Sequence, residues 1–157
     1  MTQIEEIANG VYARIVEGLT NSGIIVGPSG IMVIDSLRVP SHARALIDDV
    51  KRISDKPIKY LIDTHSHWDH SWGNEEFNDS VIIGHDNCFK EMNDGEWNEK
   101  WLNTIVSAND PWSEEAKTVN ITPPNLTFRD EMKIFFDDRE IVFKYFGKAH
   151  TSGDIFI

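Results

Sequence analysis

Short apolar runs broken by turn signals fill the first third of the chain. VYARIVE (11–17), NSGIIVG (21–27) and GIMVID (30–35) are separated by Thr20-Asn21-Ser22-Gly23 and Gly27-Pro28-Ser29-Gly30. This spacing predicts three strands joined by tight turns. The IMVI run is apolar on both strand faces, so that strand is expected to be covered on both sides. The period then changes after Pro40-Ser41. Leu46, Ile47, Val50 and Ile53 share one helical face, and Asp48, Asp49, Lys51 and Arg52 share the other. Pro57 closes this region, and IKYLID (58–63) reads as the next strand.

Residues 64–74 (THSHWDHSWGN) are too polar and irregular for a strand or a long helix. VIIG (81–84) predicts another short strand. Asp86 is expected to cap a helix running through Cys88, Phe89 and Met92. A further helix is predicted over about 96–109, with Trp97, Trp101, Leu102, Ile105 and Val106 on its apolar side. Pro111, Pro123 and Pro124 punctuate the loop beyond it. MKIFF (132–136) and EIVFKYF (140–146) then form a hairpin around Asp137-Asp138-Arg139. Hairpins, then β-α-β, then helices, then a hairpin: this order predicts an α/β (α+β) sandwich, built as a single domain over 1–157.

Composition narrows the partners. With 40% apolar residues the chain has enough material for a core. Its 15 Lys+Arg against 26 Asp+Glu give a net charge of -11, and no basic cluster stands out, so nucleic acid is not an expected partner. No apolar stretch approaches the roughly 18–20 residues a membrane span needs. A lone cysteine, Cys88, excludes an internal disulfide. The opening MTQIEEIANG does not read as a signal peptide, and a cytoplasmic location is the expectation.

The chemistry concentrates in T-H-S-H-W-D-H. His65, His67, Asp69 and His70 lie within six residues directly after a predicted strand. In extended backbone, residues i and i+2 point to one side, so His65 and His67 converge. A turn or helix start beyond them brings Asp69 and His70 round to a neighbouring point. Imidazole and carboxylate are ligands for zinc and related divalent ions. The alternative is a solvated loop that happens to be rich in histidine. His150 sits after the EIVFKYF strand, in His150-Thr151-Ser152-Gly153-Asp154. Alone, such a histidine is more often a surface residue than a ligand.

Together the two segments resemble the metallo-β-lactamase superfamily. His65-Ser66-His67-Trp68-Asp69-His70 is similar to its H-x-H-x-D-H metal motif, and His150-Thr151-Ser152-Gly153-Asp154 to its third-histidine motif. GIIVG, IMVIDS, IKYLIDTH and Gly73-Asn74 match as well, so the resemblance runs from about residue 9 to the end. It implies half of an αβ/βα sandwich with the site at one edge. It also implies a first metal held by His65, His67 and His150, and a second site begun by Asp69 and His70. The family's bridging aspartate and last histidine come from the later half of the domain and have no counterpart before Ile157. Asp154-Ile155-Phe156-Ile157 is an apolar strand start without a turn. The expectation is therefore the amino-terminal portion of a longer domain, with its carboxy-terminal half missing, or a pair of copies forming a homodimer.

The activity implied is that of a metal-dependent hydrolase, with zinc as one or two ions. A metal-activated water attacks an ester, thioester or amide of a small-molecule substrate, and Asp69 orients the nucleophile or takes its proton. Thioesterase, lactonase, lactamase and alkylsulfatase branches all stay open, and the -11 charge disfavours nucleases. Two alternatives stand beside this. One is a persulfide dioxygenase-like enzyme with a single iron. The other is a non-catalytic metal-binding half-domain. Asp35 and Asp63, at strand ends, are candidates to accept a hydrogen bond from a ligand histidine. Trp68 and Trp72 are candidates to wall the pocket. Trp97, Trp101 and Trp112 are expected in the core, with a pocket lid as the weaker role. Cys88 is expected to be buried on its helix, His85 to cap or fill a loop, and His42 to be solvated.

Overall fold

In the computed structural model, which describes all 157 residues, two sheets pack face to face and helices cover the outer face of the larger one. The larger sheet has seven strands in chain order: β1 (Thr2–Ala8), β2 (Val11–Val16), β3 (Ser22–Gly27), β4 (Gly30–Ile34), β5 (Ile58–Ile62), β6 (Val81–His85) and β7 (Leu126–Phe128). Strands β1 to β4 are antiparallel neighbours, and β4 to β7 run parallel. The parallel strands are joined through helices, as parallel pairing requires. These are α1 (Pro40–Ile53), α2 (Trp68–Ser71), α3 (Asp86–Met92), α4 (Gly95–Ala108) and α5 (Ser113–Ala116). The smaller sheet holds β8 (Glu131–Phe136), β9 (Arg139–Tyr145) and β10 (Ile155–Phe156), in the order β10-β9-β8. No helix is long and apolar enough to cross a membrane.

The two-sided apolar pattern of the central strands has a direct structural cause. Ile24, Ile31, Val33, Leu61 and Ile82 face α1 and meet Leu46 and Val50. Their chain neighbours Ile25, Met32, Ile62 and Ile83 face the other way, onto Phe136, Phe143 and Ile155 of the small sheet. Period-two alternation thus feeds two cores from one set of strands. A third cluster, Val39, Trp72, Ile105 and Ala116, ties α4 and α5 to the loop after β4.

Two strands escape the sequence pattern. Strand β1 is an edge strand, mostly exposed, so TQIEEIA has no buried face to betray it. Strand β7 is three residues long. The hairpin turn narrows to Asp137-Asp138, and Asp137 takes a left-handed φ of 58°, as a two-residue hairpin loop demands. His85, rather than Asp86, is the N-cap of α3, its Nδ1 accepting from the Asn87 amide at 3.0 Å.

The inter-sheet core should dominate stability. Phe143 is fully buried there, and Phe143→Ala is expected to cost about 3–5 kcal/mol in denaturant unfolding. Phe135 belongs to the same hairpin but is 75% exposed. Its truncation to alanine should change stability by no more than about 0.5 kcal/mol. Equal effects at the two positions would contradict the packing.

Candidate metal centre

The parallel strands end at one edge, and the loops leaving that edge carry the candidate residues. Asp35 follows β4, Asp63 to His70 follow β5, and His85 closes β6. Carboxyl edges of parallel strands are where such sheets place ligands. The loop after β9 brings His150 to the same place from the small sheet. His65, His67 and His150 each present a ring nitrogen within 4.8 Å of the others. His65 is buried, His67 half-buried and His150 exposed, so the group is open to solvent on the His150 side.

The hydrogen bonds around Asp35 assign the tautomer of His65. Thr64 donates its only hydroxyl proton to Asp35 Oδ2 at 2.9 Å. Its oxygen lies 3.0 Å from His65 Nδ1, and so must accept from that nitrogen. The lone pair is left on His65 Nε2, which is buried and has no protein partner. An unpartnered buried nitrogen facing two more imidazoles is a donor set that fits a divalent cation. Asp35 Oδ1 also accepts from the Thr64 amide at 2.9 Å, and Oδ2 from His70 Nδ1 at 2.7 Å. Asp35 therefore holds both His65, through Thr64, and His70 directly.

The backbone around Asp35 is bent to do this. Asp35 and Leu37 adopt φ of 64° and 76°, a region that costs non-glycine residues about 1–3 kcal/mol each. The bend lets the Ser36 and Leu37 amides both donate to the His70 carbonyl, at 2.8 and 3.2 Å. Gly73 packs so closely beneath that a Cβ there would sit 2.2 Å from the Ser36 carbonyl oxygen. Asn74 completes the brace: it accepts from the Ser36 hydroxyl at 2.6 Å and donates to Asp63 Oδ2 at 2.8 Å.

Asp69 and His70 form a second point beside the first. The ring of His70 lies 4.1 Å from that of His65, centre to centre. His70 Nε2 is 3.6 Å from Asp69 Oδ2, which also accepts from the Thr20 hydroxyl at 2.7 Å. Burial, followed by the charge of His70, pulls the His65 pKa down to about 4. Burial and the nearby His150 lower that of His67. For His70, burial is outweighed by the Asp35 hydrogen bond and by the charges of Asp35 and Asp69, and its pKa rises.

Several residues take places different from those expected. Asp63 bonds Asn74 and no histidine, and desolvation pushes its carboxyl well up. His42 is not free in solvent but lies half-buried against Trp112, with ring centres 5.8 Å apart. Trp97 and Trp101 also reach the site, their rings 6.0 and 4.8 Å from that of His67, while Trp101 still packs against the Val39, Trp72, Ile105 and Ala116 cluster. Trp72 is buried in the α4–α5 cluster. Trp68 and Trp112 cover the Arg38 guanidinium, at 5.5 and 4.7 Å. Cys88, by contrast, is buried on α3 as expected, and desolvation pushes its thiol pKa well up. Thr20 and Glu91 touch the site loops without any motif to announce them. The largest surface hollow, about 730 Å³, is lined by Val50, Pro57, Phe77 and Val81 at the opposite edge of the parallel strands, and no histidine lines it.

The family profile described as Metallo-beta-lactamase superfamily matches residues 15–157. A linear primary-alkylsulfatase from Pseudomonas sp. (strain ATCC 19151) is 35% identical over 54 residues, which is 34% of this chain and 10% of that protein. Among solved structures, a metallo-beta-lactamase from Pontibacter korlensis superposes with a TM-score of 0.70 at 15% identity, covering 99% of this chain and 65% of its own. A stereoselective inverting sec-alkylsulfatase from Pseudomonas sp. gives 0.70 at 20% identity, over 99% and 29%. A subclass B3 metallo-beta-lactamase from a soil metagenome library gives 0.71 at 19% identity, over 98% and 55%. At such identities the likeness speaks for the fold. The chain spans under two thirds of each of these proteins.

In the metal-free protein, His65 should stay neutral until the pH approaches about 4, while His70 keeps its proton above the ordinary 6.5. The signs of the two contributions are opposite. As pH falls from about 6.5 the unfolded chain takes up a proton at His65 that the folded one refuses, so this group lowers stability down to about 4. His70 stabilises fully below about 6.5, and that contribution is lost as pH rises through its raised folded value. A titration of imidazole resonances by NMR reads both. A His65 that protonates near 6.5 would contradict its burial beside His70.

Proposed function

The chain belongs to the metallo-beta-lactamase superfamily, and on that premise we propose that it serves a zinc-dependent hydrolase of small-molecule esters, thioesters or amides. The observation that carries the reading is the convergence of three imidazoles around an unpartnered, buried His65 Nε2. His65, His67 and His150 would hold the first ion, and Asp69 with His70 would contribute to a second. When bound, such an ion supplies Lewis acidity toward water and toward the electrophilic group of a substrate.

The protein's own groups set the rest. Asp35 and the Thr64 hydroxyl keep the lone pair of His65 turned inward. Asp69, which accepts from the Thr20 hydroxyl, would orient the attacking water and accept its proton. Trp97 and Trp101 form an apolar wall beside His67 and favour a substrate with an apolar portion next to the scissile bond. Sulfate esters join the candidates because a primary-alkylsulfatase shares sequence with part of this chain. The net charge of -11 argues against polymeric phosphate substrates.

Elemental analysis tests the reading directly. The wild type should carry zinc after purification in its presence, His67→Ala should lose it, and His42→Ala should retain it. Hydrolysis of a p-nitrophenyl ester, a thioester, a cyclic amide and an alkyl sulfate should each be measured with zinc bound and after chelation, and at least one should depend on zinc. Equal metal content in the two variants would contradict the site. Iron in place of zinc, with oxygen consumption on a persulfide, would replace hydrolysis by dioxygenation.

A further inference from the structure

The three histidines arrive on two loops from two different sheets, and something must fix the distance between those loops. Helix α3 lies between them. The carboxylate of Glu91, on its last turn, accepts a hydrogen bond from the Ser66 hydroxyl on Oε2. Ser66 stands between His65 and His67. The other oxygen, Oε1, accepts from the Ser152 hydroxyl at 2.6 Å and from the Ser152 amide at 3.4 Å. Ser152 stands two residues after His150. One half-buried carboxylate thus spans the two loops, one oxygen to each.

The rest of α3 seats the second loop against the helix. Asn87 Nδ2 donates to the Ser152 carbonyl at 2.8 Å. Gly153 approaches so closely that a Cβ there would fall 2.6 Å from the Cys88 backbone nitrogen. Within the loop, Asp154 Oδ2 accepts from the Thr151 amide at 2.7 Å. The loop carrying His150 is therefore a rigid turn docked on α3, and Glu91 connects that turn to the loop carrying His65 and His67.

We propose that Glu91 is a positioning residue for metal binding: it bridges Ser66 and Ser152 and so holds His150 at its distance from His65 and His67 before any ion arrives. The inference rests on the reading that these histidines take a metal. Pre-setting the distance spares the ion the cost of ordering the loop, and loss of such supporting hydrogen bonds typically weakens metal binding about 10–100-fold. The bridge is geometric and not merely a negative charge. A glutamine at this position still accepts from one serine through its carbonyl and donates to the other hydroxyl through its amide.

Two measurements on the full chain test it. Zinc affinity, read by competition with a chromophoric chelator, should fall about 10–100-fold in Glu91→Ala and recover most of that loss in Glu91→Gln. Ser152→Ala should fall in the same direction, and should add little in the Glu91→Ala background. Amide hydrogen exchange of the zinc-free proteins is the second readout. Segment 147–154 should exchange faster in Glu91→Ala and Ser152→Ala than in the wild type, with β9 unchanged. If Glu91→Ala fails to fold, Ser152→Ala and Glu91→Gln carry the same comparison. Wild-type zinc affinity and wild-type exchange in Glu91→Ala would overturn the proposal, and so would a Glu91→Gln as weak as Glu91→Ala. A wild type that binds no zinc would defeat the metal reading instead, and the exchange of 147–154 would then decide the bridge by itself.

Discussion

The packing of the small sheet onto the large one sets the distance on which the histidine cluster depends. His65 and His67 leave the large sheet after β5, and His150 leaves the small sheet after β9. The seating of Phe136, Phe143 and Ile155 on Met32, Ile62 and Ile83 brings the two loops to one edge, where the three nitrogens come within 4.8 Å. A well-packed core is a poor place for slippage, since small voids and overlaps both cost energy. The apolar alternation that builds the fold is thus also the ruler that spaces the site.

Around that ruler the loops spend stability on geometry. Left-handed φ values at Asp35 and Leu37 bend the chain so that one carboxylate reaches Thr64 and His70 while the next two amides hold the His70 carbonyl. Asn74 and the buried Asp63 brace the turn from beneath. The outcome is electrostatic as much as structural. His65 is kept neutral with an unused lone pair, and His70 is drawn toward its charged form by two carboxylates. A cation here would take up the free lone pair of His65, and at His70 it would have to replace the proton that Asp35 and Asp69 favour.

The sequence shows the parts of this arrangement that are contiguous. The H-x-H-x-D-H run and the strand before it lie in one short stretch, and strand alternation gives the two-faced sheet. What it hides are features made by distant partners. Glu91 is 25 residues from Ser66 and 61 from Ser152, and nothing in its helix marks it. His42 looks like a solvated helix start until Trp112 arrives from another segment to cover it. Trp97 and Trp101 sit on the apolar stripe of α4, whose Leu102 and Ile105 pack in the core as helical spacing suggests, yet these two rings also reach His67. Asp35 is legible as a strand end able to accept from a ligand histidine, as it does from His70, but its simultaneous reach to Thr64 depends on a positive φ that the sequence does not mark.

The central claim is that three particular imidazoles share one ion. X-ray absorption at the zinc edge on the loaded protein tests this most directly. Nitrogen scatterers are expected at about 2.0–2.1 Å with the multiple-scattering pattern of at least three imidazoles, and one imidazole fewer in His150→Ala. A shell of oxygen alone, or a spectrum that His150→Ala leaves unchanged, would contradict it.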